Sequence, residues 1–153
     1  MVQVQAAQAG CARAAGRAGV SDRVELQLEV DARRTEVFAL FATAAGLRQW
    51  LDAADLEPRV GGALRVRMSE AMASGQVLAL DPPQHISFSW EWAGQRAVAP
   101  SVVAFDAIDH GKRTHVTLRH VGLPTRAEVE LHEQLWHYWL DRFAAAVCAG
   151  QPL

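Results

Sequence analysis

The chain has 153 residues, 50% of them hydrophobic and 21% charged, with a formal net charge of −2. That length suits one domain with its own core and is short for two. So near-neutral a balance gives no electrostatic case for nucleic acid, and no run reaches the roughly 18 apolar residues that would span a membrane. The basic residues are arginine except for Lys112, a pattern read here as compositional bias rather than a phosphate-binding surface. Cys11 and Cys148 lie near opposite ends and make neither a disulfide framework nor a metal spacing, so a reducing, cytoplasmic setting is the default expectation.

Met1 to Ser21 is alanine, glutamine, glycine and arginine with almost no bulky apolar residue. Such a stretch buries too little surface to offset its ordering entropy, so residues 1–21 are expected as a disordered tail and residues 22–150 as the domain. Val24, Leu26, Leu28 and Val30 alternate with polar residues, as in a half-buried strand. Val37, Phe38, Leu40 and Phe41 then take helical spacing, with Glu36 in the first turn, where a carboxylate suits the helix dipole. Gly46 is expected to break that helix, and Leu47, Trp50 and Leu51 to form a second short one.

From Leu56 onward the pattern is strands and turns. Leu64, Val66 and Met68 alternate after Gly61-Gly62, and Gln76 to Leu80 follows Gly75. Asp81-Pro82-Pro83 is a turn. Ile86 to Trp92 places Ile86, Phe88, Trp90 and Trp92 on one face. Val103, Phe105 and Ala107 share a face in the next strand, and Val116, Leu118 and His120 in the one after. Thr125 and Glu128 form a capping-box pattern that opens a helix running to about Ala149. At about 100° per residue, Leu131, Leu135, Trp136, Tyr138, Trp139, Leu140, Phe143 and Val147 cover an arc of roughly 200° centred near Trp139, with His132 as the polar member. Cys148 falls on the polar side. The order, a strand, two short helices, about six strands and a long helix, predicts an α+β fold with the long helix on one face of an antiparallel sheet of six to seven strands.

Four places in this order resemble the helix-grip superfamily (START-like, SRPBCC), which includes lipid-transfer START domains, the birch-pollen allergen and polyketide cyclases. The likeness is greatest to the bacterial branch named after the activator of heat-shock-protein-90 ATPase. They are Val30-Asp-Ala32 with Glu36-Val37-Phe38; Trp50 with Glu57-Pro-Arg-Val-Gly-Gly62; Ile86-Ser-Phe-Ser-Trp90; and Thr114 to His120 with His132 and Trp136 to Phe143. The resemblance implies a curved antiparallel sheet wrapped on the C-terminal helix. Two positions depart from it. Arg33-Arg34 stands where the family usually has Ser-Pro, leaving Asp31 as a candidate cap for the first helix. Leu135 stands where it usually has glycine, filling space a ligand would otherwise use.

His132-Glu133 begins a His-Glu-x-x-His pattern, but the residue four after His132 is Trp136, and His137 lies about 140° around the helix, so no metal site is read here. Gly61-Gly62 lacks the Lys-Ser/Thr of a phosphate loop, and no cofactor motif is present. His120 and His132 both face the sheet–helix interior, either as polar anchors or an acid–base pair, or as core histidines satisfied by their surroundings. Any one aromatic reads as core packing; the set reads as the lining of an apolar pocket. The expected ligand-binding residues are therefore Trp50, Phe88, Trp90, His120, His132, Trp136, Trp139 and Phe143, with no catalytic residue assigned. The leading expectation is a non-enzymatic carrier or sensor for a small hydrophobic molecule. The alternatives are a cyclase or dehydratase acting on a polyketide-like substrate, and an interaction module with a chaperone, a regulator or a second copy as partner.

Overall fold

The computed structural model describes residues 10–16, 22–95 and 100–150. Eight strands form one antiparallel sheet: β1 (Ala12–Gly16), β2 (Val24–Val30), β3 (Ala53–Leu56), β4 (Ala63–Met68), β5 (Ala71–Asp81), β6 (His85–Trp92), β7 (Ser101–His110) and β8 (Arg113–Val121). Helices α1 (Arg34–Ala42) and α2 (Ala44–Leu47) follow β2, and α3 (Arg126–Ala149) closes the chain. The sheet order is β1-β2-β8-β7-β6-β5-β4-β3, so the first strand of the expected domain lies beside the last. This is the α+β helix-grip arrangement, with the long helix on one face of the sheet. No helix among the described residues is long and apolar enough to cross a membrane.

Strand alternation sets the two faces. Val24, Leu26, Leu28 and Val30 of β2 are buried with Val103, Phe105 and Ala107 of β7 and Val116, Leu118 and His120 of β8. Their neighbours on the other face are polar: Glu25, Gln27 and Glu29 stand opposite Arg119, Thr117 and His115 in register.

The expected tail contains a strand. Residues 1–9 and 17–21 lie outside the described residues, but Ala12, Arg13 and Ala14 pair with Val30, Glu29 and Leu28 on the edge of β2. Alanine and glycine supply little hydrophobic drive. Main-chain pairing to an open edge and a covalent tie supply what the side chains do not. The tie is a disulfide between Cys11 and Cys148, with Cα atoms 5.8 Å apart across 137 residues of sequence. This corrects the reading of the two cysteines as unconnected and of Cys148 as a polar-side residue, since Cys148 is buried on α3.

The turn between α1 and α2 differs in cause from expectation. α1 ends because Thr43 adopts extended backbone; its Oγ1 donates to Ala39 O (2.7 Å) and accepts from Gly46 N (2.9 Å). Gly46 sits inside α2, where a Cβ would come within 1.8 Å of Ala39 O. Asp31 does not cap α1; it pairs with Arg113 at 2.8 Å, and Arg33 precedes the helix without a side-chain cap bond. Thr125 does cap α3, accepting from Glu128 N at 3.1 Å.

The buried side of α3 carries Val129, His132, Trp136, Trp139, Leu140, Phe143, Ala144, Val147 and Cys148. Trp136 stands at the middle of this set, about 60° from the expected centre at Trp139. Leu131 and Tyr138, expected inside the arc, are 58% and 39% exposed. Apolarity alone located the stripe, whereas packing against β2 and the disulfide rotate the helix toward Trp136 and Cys148. Replacing Gly46 with alanine should lower stability by about 1–3 kcal/mol without changing the fold, read as a reduced urea midpoint at constant m.

Candidate functional site

The expected site residues separate into two groups between the sheet and α3. The first lies where β6 passes to β7. It joins Trp90 and Trp92 of β6, His120 of β8, and His132 and Trp136 of α3. Trp90 lies 5.4 Å from Trp136 and 5.6 Å from Trp92 by ring centroids, and the two imidazoles meet edge-on at 4.9 Å. The second group is Trp50, Phe143, Phe41 and Phe105. Trp50 lies 5.3 Å from Phe143, and Phe41 stacks on Phe105 at 4.5 Å. Phe105 touches both groups, meeting Trp136 at 6.2 Å. Rings from the sheet and from the helices are thus in direct contact.

The remaining expected residues stand apart. Phe88 is buried in β6 as part of the general core. Trp139 lies at the margin of the buried stripe, its ring against Tyr138 (5.1 Å) and under the Arg142 guanidinium (5.0 Å). Trp92 belongs to the first group, although the expected site set omits it. Its place on the same strand face as Trp90 was the signal that could have included it.

Hydrogen bonding fixes the state of both histidines. An indole N–H can only donate, so the nitrogen it meets must accept. Trp136 Nε1 donates to His120 Nδ1 at 3.0 Å, which leaves the His120 proton on Nε2, 2.7 Å from Ser101 Oγ. Ser101 Oγ in turn donates to Trp90 O at 3.1 Å. Trp92 Nε1 donates to His132 Nε2 at 2.9 Å, and the other nitrogen, Nδ1, donates to Glu128 O at 2.8 Å. All four ring nitrogens are therefore occupied, and neither ring offers a free one for proton transfer. Burial, with the neighbouring His132 adding to it, pulls the His120 pKa down from 6.5 to about 3.

The indole of Trp90 is the exception. Its Nε1 is buried and, among the described residues, has no hydrogen-bond partner. Among the described residues the other such atom is Arg23 Nε, but that nitrogen lies 3.7 Å from the Glu25 carboxylate. Trp50, by contrast, donates to Leu40 O at 2.7 Å. An orphaned buried donor costs about 1–3 kcal/mol.

The outer face of the sheet holds groups the sequence reading passed over. Arg119 bridges Glu25 and Asp106, both at 3.2 Å, and His85 meets Asp106 at 2.8 Å. Glu29 of β2 lies between His110 and His115 of the β7–β8 hairpin. An open polar cleft of about 440 Å³ lies at the start of α1, lined by Arg33, Arg34, Asp109, Lys112 and Arg113 among others; it is outside the aromatic interior.

Residues 31–147 match the family model for Activator of Hsp90 ATPase homolog 1-like protein, and the chain belongs to that family. No curated protein matches the sequence. Among solved structures, CalU16 from Micromonospora echinospora is 22% identical with a TM-score of 0.69, covering 89% of this chain and 85% of its own. The Aha1 dimer from Colwellia psychrerythraea is 16% identical with a TM-score of 0.71, over 85% and 98%. PFC0360w, an HSP90 activator from Plasmodium falciparum, is 18% identical with a TM-score of 0.66, over 76% and 88%. At these identities the structures establish the shared fold.

The neutral state of His120 makes a pH prediction. The unfolded chain takes up a proton near pH 6.5 that the folded chain refuses until about pH 3. Between those values the unfolded state binds more protons, so stability should fall with acidification by up to about 1.4 kcal/mol per pH unit from this residue alone. His120→Gln should flatten that slope in urea titrations between pH 6 and 4; an unchanged slope would contradict it.

Proposed function

We propose that this member of the family holds a small, mostly apolar molecule bearing a hydrogen-bond acceptor, at the Trp90 end of the space between the sheet and α3. The observation that carries the reading is the unpartnered Trp90 Nε1, a buried donor surrounded by indole and imidazole rings. A carbonyl or ether oxygen brought to it would remove its desolvation penalty, and the flanking rings would cover the apolar remainder of the ligand. Trp92, half-buried at the border of the core, edges this region with its indole held to His132. A cyclase or dehydratase chemistry using His120 and His132 is opposed by the occupation of every imidazole nitrogen.

A second reading, self-association, rests on Leu131 and Tyr138. They lie seven residues apart on the side of α3 turned away from the sheet, and both are exposed. Sedimentation should then show a dimer that Leu131→Glu dissociates; a monomer at all concentrations removes this second reading.

The ligand reading is tested by native mass spectrometry of freshly purified protein, followed by tryptophan-fluorescence titration with a panel of apolar ketones and ethers. A saturable response is expected, weakened about tenfold in Trp90→Phe, which keeps the ring stack but lacks the donor. No response across the panel, or equal affinity in the variant, would sink it.

A further inference from the structure

We propose that Glu29, His110 and His115 form a divalent-cation site, of a kind suited to Zn(II), on the outer face of the sheet. It is independent of the ligand reading, because β2 and β8 turn these side chains away from α3. Glu29 and His115 are register partners on β2 and β8, while His110 sits at the end of β7 just before the Gly111 turn. Their candidate ligand atoms all lie within 4.8 Å of one another. The Glu29 carboxylate meets His110 Nδ1 at 2.9 and 3.0 Å and His115 Nδ1 at 2.5 Å. Tetrahedral zinc with bonds of about 2.0–2.2 Å sets its ligand atoms roughly 3.3–3.5 Å apart, so a shift of under about 1 Å opens the cluster to an ion.

Three features favour a cation over a mere hydrogen-bond cluster. The donor set, two imidazoles and one carboxylate, is one that zinc takes with a fourth position left to water or an outside donor. His115 Nε2 lies 3.2 Å from Gln27 Oε1, so its far nitrogen can donate outward while Nδ1 faces the site, the second-shell support that ligating histidines usually have. Glu29 is largely buried, and its carboxylate is aimed at both imidazoles. Of the basic side chains around it, Arg113 pairs with Asp31 at 2.8 Å and Arg34 with Asp109 at 3.4 Å, while Arg13, opposite Glu29 on β1, donates to Gly10 O at 3.3 Å. A bound ion would replace the protons that now hold the cluster and would clip the edge of β2 to the β7–β8 hairpin.

The test uses the full chain without a histidine tag, stripped with EDTA and titrated with Zn(II) against a chromophoric chelator. One equivalent is expected to bind, with affinity falling at least tenfold in Glu29→Gln and in His110→Ala, and about tenfold in Gln27→Ala. His110 is mostly exposed, so its variant should fold normally, as circular dichroism would show. His85→Ala, at a separate pair on the same face, should leave the affinity unchanged. Co(II) should give the intense visible bands of a tetrahedral site, lost in His110→Ala. Absence of stoichiometric binding, or binding indifferent to both Glu29→Gln and His110→Ala, would overturn the proposal.

Discussion

The packing of α3 on the sheet depends on a reciprocal pair of hydrogen bonds between indoles and imidazoles. Trp136 on the helix donates to His120 on β8, and Trp92 on β6 donates to His132 on the helix. Each layer supplies one donor and one acceptor. A buried histidine is tolerable only if neutral and satisfied, and the two tryptophans meet both conditions at once. The net worth of each bond is modest, about 1 kcal/mol, but leaving either partner orphaned would cost more than the bond contributes. The pair therefore selects one rotation of α3 more strongly than aromatic contacts could, because ring packing tolerates sliding and hydrogen bonds do not.

This arrangement separates the interior from the outer face. Inside, the polar atoms of His120, His132, Trp50, Trp92 and Trp136 are spent on one another, on Ser101 or on backbone carbonyls, whereas the Trp90 donor finds no partner among the described residues. Outside, ionisable groups form two sets of contacts, Glu29 with His110 and His115, and Glu25 with Arg119, Asp106 and His85 across β2, β8, β7 and β6. The chemistry of the family member thus divides between a nearly closed aromatic interior and a polar outer face.

Much of the fold was legible because its signals are local. The alternation of Val24 to Val30 and of Ile86 to Trp92 gave strand faces directly, and Thr125 with Glu128 marked the start of α3. Strand β1 was illegible because alanine and glycine carry no periodic hydrophobic signal, and its place is set by an open sheet edge and by Cys148 far along the chain. Helical phase found the apolar stripe of α3 but not its centre, since Leu131 and Tyr138 are as apolar as the residues that replaced them inside. Of the expected site, Trp90, His120, His132 and Trp136 do come together, while Trp139 and Phe88 do not join them. Glu29 meets His110 and His115 across 81 and 86 residues, a juxtaposition that requires knowing that β2 lies beside β8.

The protonation pattern of the two buried histidines is the most direct check on how sheet and helix are joined. Long-range ¹H–¹⁵N NMR of imidazole-labelled protein at pH 8 reads each ring's tautomer. The geometry predicts the proton on Nε2 in His120 and on Nδ1 in His132, with His120 remaining neutral on acidification to pH 5. The opposite tautomer in either ring, or a His120 that titrates near pH 6.5, would contradict the reciprocal bonds and with them the placement of α3.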